Sequence, residues 1–246
     1  VLLIYENICR ESSLDKLALE FDSTFKVKDF DSSIPEEGVF MGSIEGCNWM
    51  GQNRPKVKYW STFANYQCSV YYPQVQELLF NDQYAFIPFK DLARRKWDIY
   101  GWLGKESVVF IRPNSGEKST PAELVDIQDI DKLVENYDYD GLAVVSTPKN
   151  SVGEWRFVVS DKKVISVSSY KYQGLLTLVP SAPKGAHDLV EKVFAKNIAP
   201  DEIFCIDVVQ DMENEFWVME LTSFSSAGLY ANDVKKVAEV IKSNYP

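Results

Sequence analysis

The chain has 246 residues, enough to bury a substantial core as one large domain or two smaller ones. With 26 Lys+Arg against 36 Asp+Glu its net charge is −10, which argues against a surface built to grip nucleic acid nonspecifically and fits a soluble protein. Cys9, Cys47, Cys68 and Cys205 lack any C-x-x-C spacing and His187 stands alone, so neither a disulfide framework nor a Cys/His zinc site is expected, and a reducing, cytoplasmic setting fits best.

In chain order, VLLIY (Val1 to Tyr5) reads as a buried strand. Its apolar part is too short for a signal peptide, and no apolar run approaches the ~20 residues that cross a bilayer. From Ser12 to Phe21 the apolar residues Leu14, Leu17, Ala18 and Phe21 have helical spacing, and GVFMGS (Gly38 to Ser43) reads as a second short strand, so the opening is α/β. Ile44 to Tyr72 shows no clear period. Within it NWMGQNRPKVKYW mixes Arg54, Lys56 and Lys58 with Trp49, Tyr59 and Trp60, either an exposed loop with aromatic anchors or a surface that stacks bases.

From Tyr84 the pattern sharpens. AFIPF is a short strand interrupted by Pro88, Lys90 to Trp102 suits a helix, and Ser107 to Pro113 is a strand. That strand belongs to VFIRPNSGEK, where Gly116, Lys118 and Ser119 suggest a P-loop; Glu117 between glycine and lysine, and the lack of glycine at position 111, exclude one. Gly141 to Ser146 (GLAVVS) is another strand, and EWRFVVS pairs with KVISVSSY as a hairpin around Asp161 and Lys162. Ala186 to Lys196 carries an apolar helical face. FCIDVVQ and FWVMELTSF make a second hairpin, and Asp233 to Ser243 closes the chain as a helix with Asn232 as its expected cap. His187 is expected to be a surface or capping residue, and SFSSAGLYAND (Ser223 to Asp233) either lines a pocket or leads into the helix.

The second hairpin carries the most information. Centring its turn between Glu213 and Asn214 sets position 210 against 217 and Asp207 against Glu220, with like charges at a Cβ separation of about 4.5 to 5.5 Å. Such a pair calls for a different register, a protonated carboxyl or a cation between them. Thr222 shares the face of Glu220, and hard oxygens so grouped suit Mg²⁺, which takes one or two carboxylates and leaves its other positions to phosphate and water. Glu154 and Arg156 share one face of their strand. With Arg112 and Lys118 they complete a set of cations and carboxylates of the kind that holds an Mg-nucleotide.

VFIRPNSGEK, GLAVVSTP, EWRFVVSDKKVISVSSY, FCIDVV and VMELTSFSSAGLY, in that order, resemble the ATP-grasp superfamily, and more closely a phage-associated clade within it. The resemblance implies an α+β fold in which two α+β subdomains, over residues 84–246, clasp ATP, preceded by a small α/β region, residues 1–83. It implies ATP and Mg²⁺ as cofactors, with Arg112 and Lys118 on the phosphates, Val144, Val145 and Ser146 beside the adenine, and Arg156 at the γ-phosphate. Glu154 joins Arg156 as a catalytic residue, and Asp207, Glu220 and Thr222 hold the metal. The family usually ends its metal motif Glu-x-Asn, and here Thr222 replaces the amide with a hydroxyl. The implied activity is a carboxylate-amine ligase working through an acyl phosphate on a small-molecule, peptide or protein acceptor, in the cytoplasm of a host cell if phage-encoded. A binding module without turnover and a nucleic-acid-associated protein are the alternatives.

Overall fold

The computed structural model describes residues 1–6 and 13–245; Ser12 and Cys9 lie outside the described residues. Strand β1 (Leu2–Tyr5) is followed by helix α1 (Ser13–Ala18), β2 (Ser23–Lys26), β3 (Gly38–Met41), α2 (Ile44–Asn53) and β4 (Val57–Lys58). These strands form a parallel sheet in the order β2-β1-β3-β4. Leu3 packs toward α1 while Ile4 packs toward Phe40 and Met50 on the other face. Burial on both faces is why VLLIY is a continuous apolar run rather than an alternating one.

After the short helix α3 (Cys68–Tyr71) come β5 (Tyr84–Pro88), α4 (Leu92–Leu103), β6 (Val108–Pro113), β7 (Glu123–Asp126), α5 (Ile130–Asn136) and β8 (Leu142–Ser146). The strands make an antiparallel sheet ordered β5-β8-β6-β7. Pro88 is tolerated because β5 is an edge strand, where a missing N–H need not break a ladder. One face of this sheet packs on α4 and α5 through Ile99, Val109, Ile111, Ile130 and Val145. Its other face carries Arg112.

The last sheet is built from β9 (Ser151–Ser160), β10 (Lys163–Tyr172), β11 (Leu175–Leu176), β12 (Ile203–Asp211) and β13 (Phe216–Ser223), ordered β11-β10-β9-β12-β13. Helix α6 (Lys184–Ala195) covers Trp155, Phe157, Ile206 and Val208; α7 (Val234–Ser243) lies on the opposite face, with Val158 and Cys205. The β9–β10 turn holds Asp161 and Lys162 at φ 49° and 54°, the paired left-handed conformation of a two-residue hairpin. Asp233, rather than Asn232, caps α7, accepting from the backbone N–H groups of Lys235 and Lys236.

Helix α2 falls in the stretch that shows no clear period in sequence. Ser43 caps it by accepting from Gly46 N–H, but Gly46 and Gly51 interrupt the apolar face formed by Cys47 and Met50. Cys47, Cys68 and Cys205 are free and buried. Among the described residues no helix is long and apolar enough to cross a membrane.

Candidate functional site

The β12–β13 hairpin turns one residue earlier than its sequence suggests. Asp211 N–H donates to Glu215 O at 3.0 Å, and Asn214 takes φ 66°, so the loop is Met212, Glu213 and Asn214. Gln210 therefore faces Phe216 rather than Trp217. Left at that, Asp207 would face Met219. A bulge inserts Met219 between the Val208–Val218 and Asp207–Glu220 pairs, which brings the two carboxylates back opposite each other.

What relieves their repulsion is the chain's own cations. Arg156 sits directly across β9–β12 from Asp207 and grips it with two bonds, Nε to Oδ1 at 2.8 Å and Nη2 to Oδ2 at 2.6 Å, while its Nη1 donates to Gly228 O at 3.1 Å. From the facing sheet, Arg112 Nη2 donates to Glu220 Oε2 at 2.8 Å, and Lys118 Nζ reaches Oε1 at 3.3 Å. The hydroxyl of Thr222 lies 3.4 Å from the same Oε1. Arg112, Arg156 and Asp207 are buried, Glu220 is nearly so, and Lys118 is half exposed on a loop where its own φ is 53°.

These surroundings set the protonation of the site. Burial alone would raise the Glu220 carboxyl, but Lys118, Arg112 and Arg156 together outweigh it and hold the group well below the usual carboxylate range. Burial raises Asp207, and the Arg156 contact offsets that only in part. Both guanidiniums stay charged: burial works against each, and nearby acidic groups, Asp207 foremost for Arg156, override it. The Nε of Arg112 is buried without a hydrogen-bond partner, a donor left over for a ligand.

A cleft of about 650 Å³ opens between the two antiparallel sheets, lined by Arg112, Lys118, Glu154, Tyr170, Lys171 and Glu220 among others. Lys171 donates to Glu154 Oε1 at 2.8 Å, as does Ser151 Oγ at 2.9 Å. Sequence alternation does not disclose Lys171, because it assigns Tyr170 and Lys171 to opposite faces. A bulge between Ser169 and Lys171 restarts the register, setting Lys171 against Glu154 while Tyr170 still lines the cleft. Tyr170 stacks on Tyr230 with ring centroids 5.0 Å apart, and Arg156 lies over both rings at 5.7 and 5.2 Å.

Val144, Val145 and Ser146 are brought near this group but not into the cleft. They lie in the middle and end of β8, fully buried, with Val144 in register with Arg112. The Oγ of Ser146 is buried without a partner.

The donor set suits magnesium better than a softer metal, since Asp207, Glu220 and Thr222 offer only oxygen. Among the described residues no group of three or more His, Cys, Asp or Glu could hold a metal alone. The residues thus fit an ion that brings phosphate and water as its remaining ligands.

Other sequence features resolve into structure. Arg54 is buried, donates to the backbone oxygens of Ile34, Asn53 and Asp31, and lies over Trp49; Lys56 pairs with Glu37, Lys58 with Glu202, and Trp60 is buried. The cations that suggest a base-stacking loop are therefore spent internally. His187 packs edge-on against Phe157 within α6 rather than capping it. In the Ser223–Asp233 segment, Ser225 Oγ accepts from Trp60 N–H, and Ser168 Oγ and Ser166 Oγ accept from the Ala231 and Asp233 N–H groups.

The family model of an ATP-grasp domain, the second family of its clade, matches residues 92–240. No curated protein matches the chain. Among solved structures it is similar to the D-cycloserine synthetase DcsG, with 10% identity, TM-score 0.67 and 100% of both chains covered. It is also similar to a RimK domain protein ATP-grasp from Sphaerobacter thermophilus, with 11% identity, TM-score 0.66 and 98% of this chain and 100% of that one covered. A third is D-alanyl-alanine synthetase A from Vibrio cholerae O1 biovar eltor, with 9% identity, TM-score 0.65 and 100% and 98% covered. At these identities the likeness is one of fold.

Proposed function

Since the chain belongs to the ATP-grasp domain family, we propose that it is an ATP- and Mg²⁺-dependent ligase that joins a carboxylate to an amine or similar nucleophile. The observation that carries the reading is the convergence of Arg112, Lys118 and Arg156 with Asp207 and Glu220 from two facing sheets onto one side of the cleft. Structural neighbours named as synthetases and ligases support the same class of activity.

In this reading Arg112 and Lys118 exchange Glu220 for the triphosphate, and the spare Nε of Arg112 gains an acceptor. Arg156 stays anchored by Asp207 and Tyr170 and directs its guanidinium to the γ-phosphate. Asp207, Glu220 and Thr222 hold magnesium, which when bound neutralises charge on the phosphate oxygens. Val144, Val145 and Ser146 back the adenine side through β8, and Glu154, oriented by Lys171 and Ser151, fixes a hydroxyl or amine of the bound ligands. Residues 84–246 would do this work, with residues 1–83 as an accessory region.

The reaction needs no covalent enzyme intermediate. An acceptor carboxylate oxygen attacks the γ-phosphorus, the bond to the β-phosphate oxygen breaks and ADP leaves with its electron pair. The nucleophile's nitrogen then attacks the acyl carbon, phosphate departs, and nitrogen gives up a proton. Positioning and charge neutralisation are the protein's contribution. Origin in a phage-associated clade belongs to this reading, and phage genes flanking the coding sequence would support it.

Screening carboxylate and amine acceptors for ADP and phosphate release tests the proposal. Release that needs Mg²⁺ and an acceptor, and is lost in Arg156→Ala, is expected. Nucleotide binding without ADP under every acceptor would favour the binding-module reading.

A further inference from the structure

The stretch after β10 is the most apolar exposed surface among the described residues. Tyr172, Leu175, Leu176, Leu178 and Val179 are all exposed, Leu175 and Leu176 by 71% and 75%. They are closely spaced along one strap that folds back from the Gln173–Gly174 turn, where φ is 48° and 78°. Scattered single apolar residues on a surface need no explanation, but a contiguous set does.

The strap is also a sheet edge. β11 is the outermost strand of its sheet. Tyr172 pairs with Leu175, Thr177 N–H donates to Tyr170 O at 3.3 Å, and Ser169 N–H donates to Val179 O at 2.9 Å. Residues 175, 177 and 179 therefore turn their backbone groups inward. By the alternation of an antiparallel ladder, Leu176 and Leu178 turn theirs outward. No proline or charged side chain blunts this edge between Leu175 and Val179.

The same strap runs into the cleft. Lys171, in register with Leu176, lines the cleft beside Tyr170. A partner lying on the strap thus meets an ammonium where the strap meets the proposed phosphate site. Outward backbone groups select an extended polypeptide over a small molecule, the exposed leucines select apolar side chains at alternate positions, and Lys171 selects a carboxylate at the cleft end.

We propose that the β11 edge docks an extended polypeptide acceptor by strand addition, with alternating apolar residues over Leu176 and Leu178 and an acidic group delivered past Lys171 into the cleft. The inference rests on the ligase reading and names the acceptor class for it.

The test uses the full chain and synthetic peptides of about 12 residues in which apolar residues alternate with Asp or Glu, scrambled peptides of the same composition, and copies N-methylated at alternate backbone nitrogens. Binding is followed by calorimetry without nucleotide, and amide hydrogen exchange is followed at Leu176 and Leu178. The alternating peptides should bind and protect these two amides, whereas the scrambled and N-methylated ones should bind at least about tenfold more weakly. A Leu176→Asp/Leu178→Asp variant should lose peptide binding by a similar factor while binding ATP as the wild type does. Nucleotide binding is measured separately on the same proteins, so failure of the ligase reading would appear there and not in the peptide titration. No binding by any alternating peptide, or binding indifferent to the double substitution, overturns the proposal. So does a strap that instead mediates self-association or attachment to phosphatidylserine vesicles, either abolished by the same substitutions.

Discussion

Arg156 and Asp207 stand opposite each other on β9 and β12 and close a two-pronged contact of 2.8 and 2.6 Å, with the carboxylate almost wholly out of water. Removing one partner of a buried pair strands the other's charge, at a cost of about 3 to 5 kcal/mol. Arg156→Ala should therefore lower unfolding free energy in urea by that order. An Arg156→Met/Asp207→Leu double variant, which leaves no unpaired charge, should recover most of the loss.

Lys118 presents the reverse case. Its ammonium touches Glu220 at 3.3 Å, but its side chain is half exposed and its loop departs from the sheet. Lys118→Met should change stability by no more than about 0.5 kcal/mol. If the cation belongs to a phosphate site, the same substitution should weaken ATP binding by about tenfold or more, read as a smaller rise in melting temperature at saturating ATP.

The pH dependence follows from Glu220. Its folded pKa is held below its ordinary value by Lys118, Arg112 and Arg156 acting against burial. A depressed carboxyl adds stability above its unfolded pKa of about 4.3 and loses it as pH falls toward the folded value. The stability gap between wild type and Glu220→Gln should hold steady from neutral pH to about 4.5 and narrow below that. A gap that widened on acidification would contradict the assigned cations.

Much of this site is legible in the sequence, though not always for the expected reason. Asp207 and Glu220 face each other as the centred hairpin predicts, yet the agreement needs two offsetting displacements: a turn shifted by one residue and a bulge at Met219. Bulges leave no mark in an apolar alternation, which is also why Lys171 escapes notice. The face of Glu154 and Arg156 is readable because Trp155, Phe157 and Val159 fill the other side of β9 without interruption. The cations that neutralise the carboxylates in the absence of ligand could not be assigned from strand order, since Arg112 arrives from a different sheet. Helix α2 is hidden by its own glycines, and the charges at Arg54, Lys56 and Lys58 look available only until the fold supplies their partners.

The β9–β10 turn offers an independent check on the backbone. Asp161 and Lys162 both occupy left-handed conformations that Asn-Gly adopts at less cost. Asp161→Asn with Lys162→Gly should raise unfolding free energy by about 0.5 to 1 kcal/mol, despite losing the Lys162 contact with Asn197. A loss of stability instead would point to a different turn.

The central claim is that Arg112, Lys118 and Arg156 together with Asp207 and Glu220 hold a magnesium nucleotide. Calorimetric titration of the full chain with a non-hydrolysable ATP analogue tests it most directly, with and without Mg²⁺, on the wild type and on Lys118→Met. Saturable binding that weakens by about tenfold or more when Mg²⁺ is withheld, and again in the variant, is the predicted result. No binding, or binding equally strong without the ion and without Lys118, would contradict it.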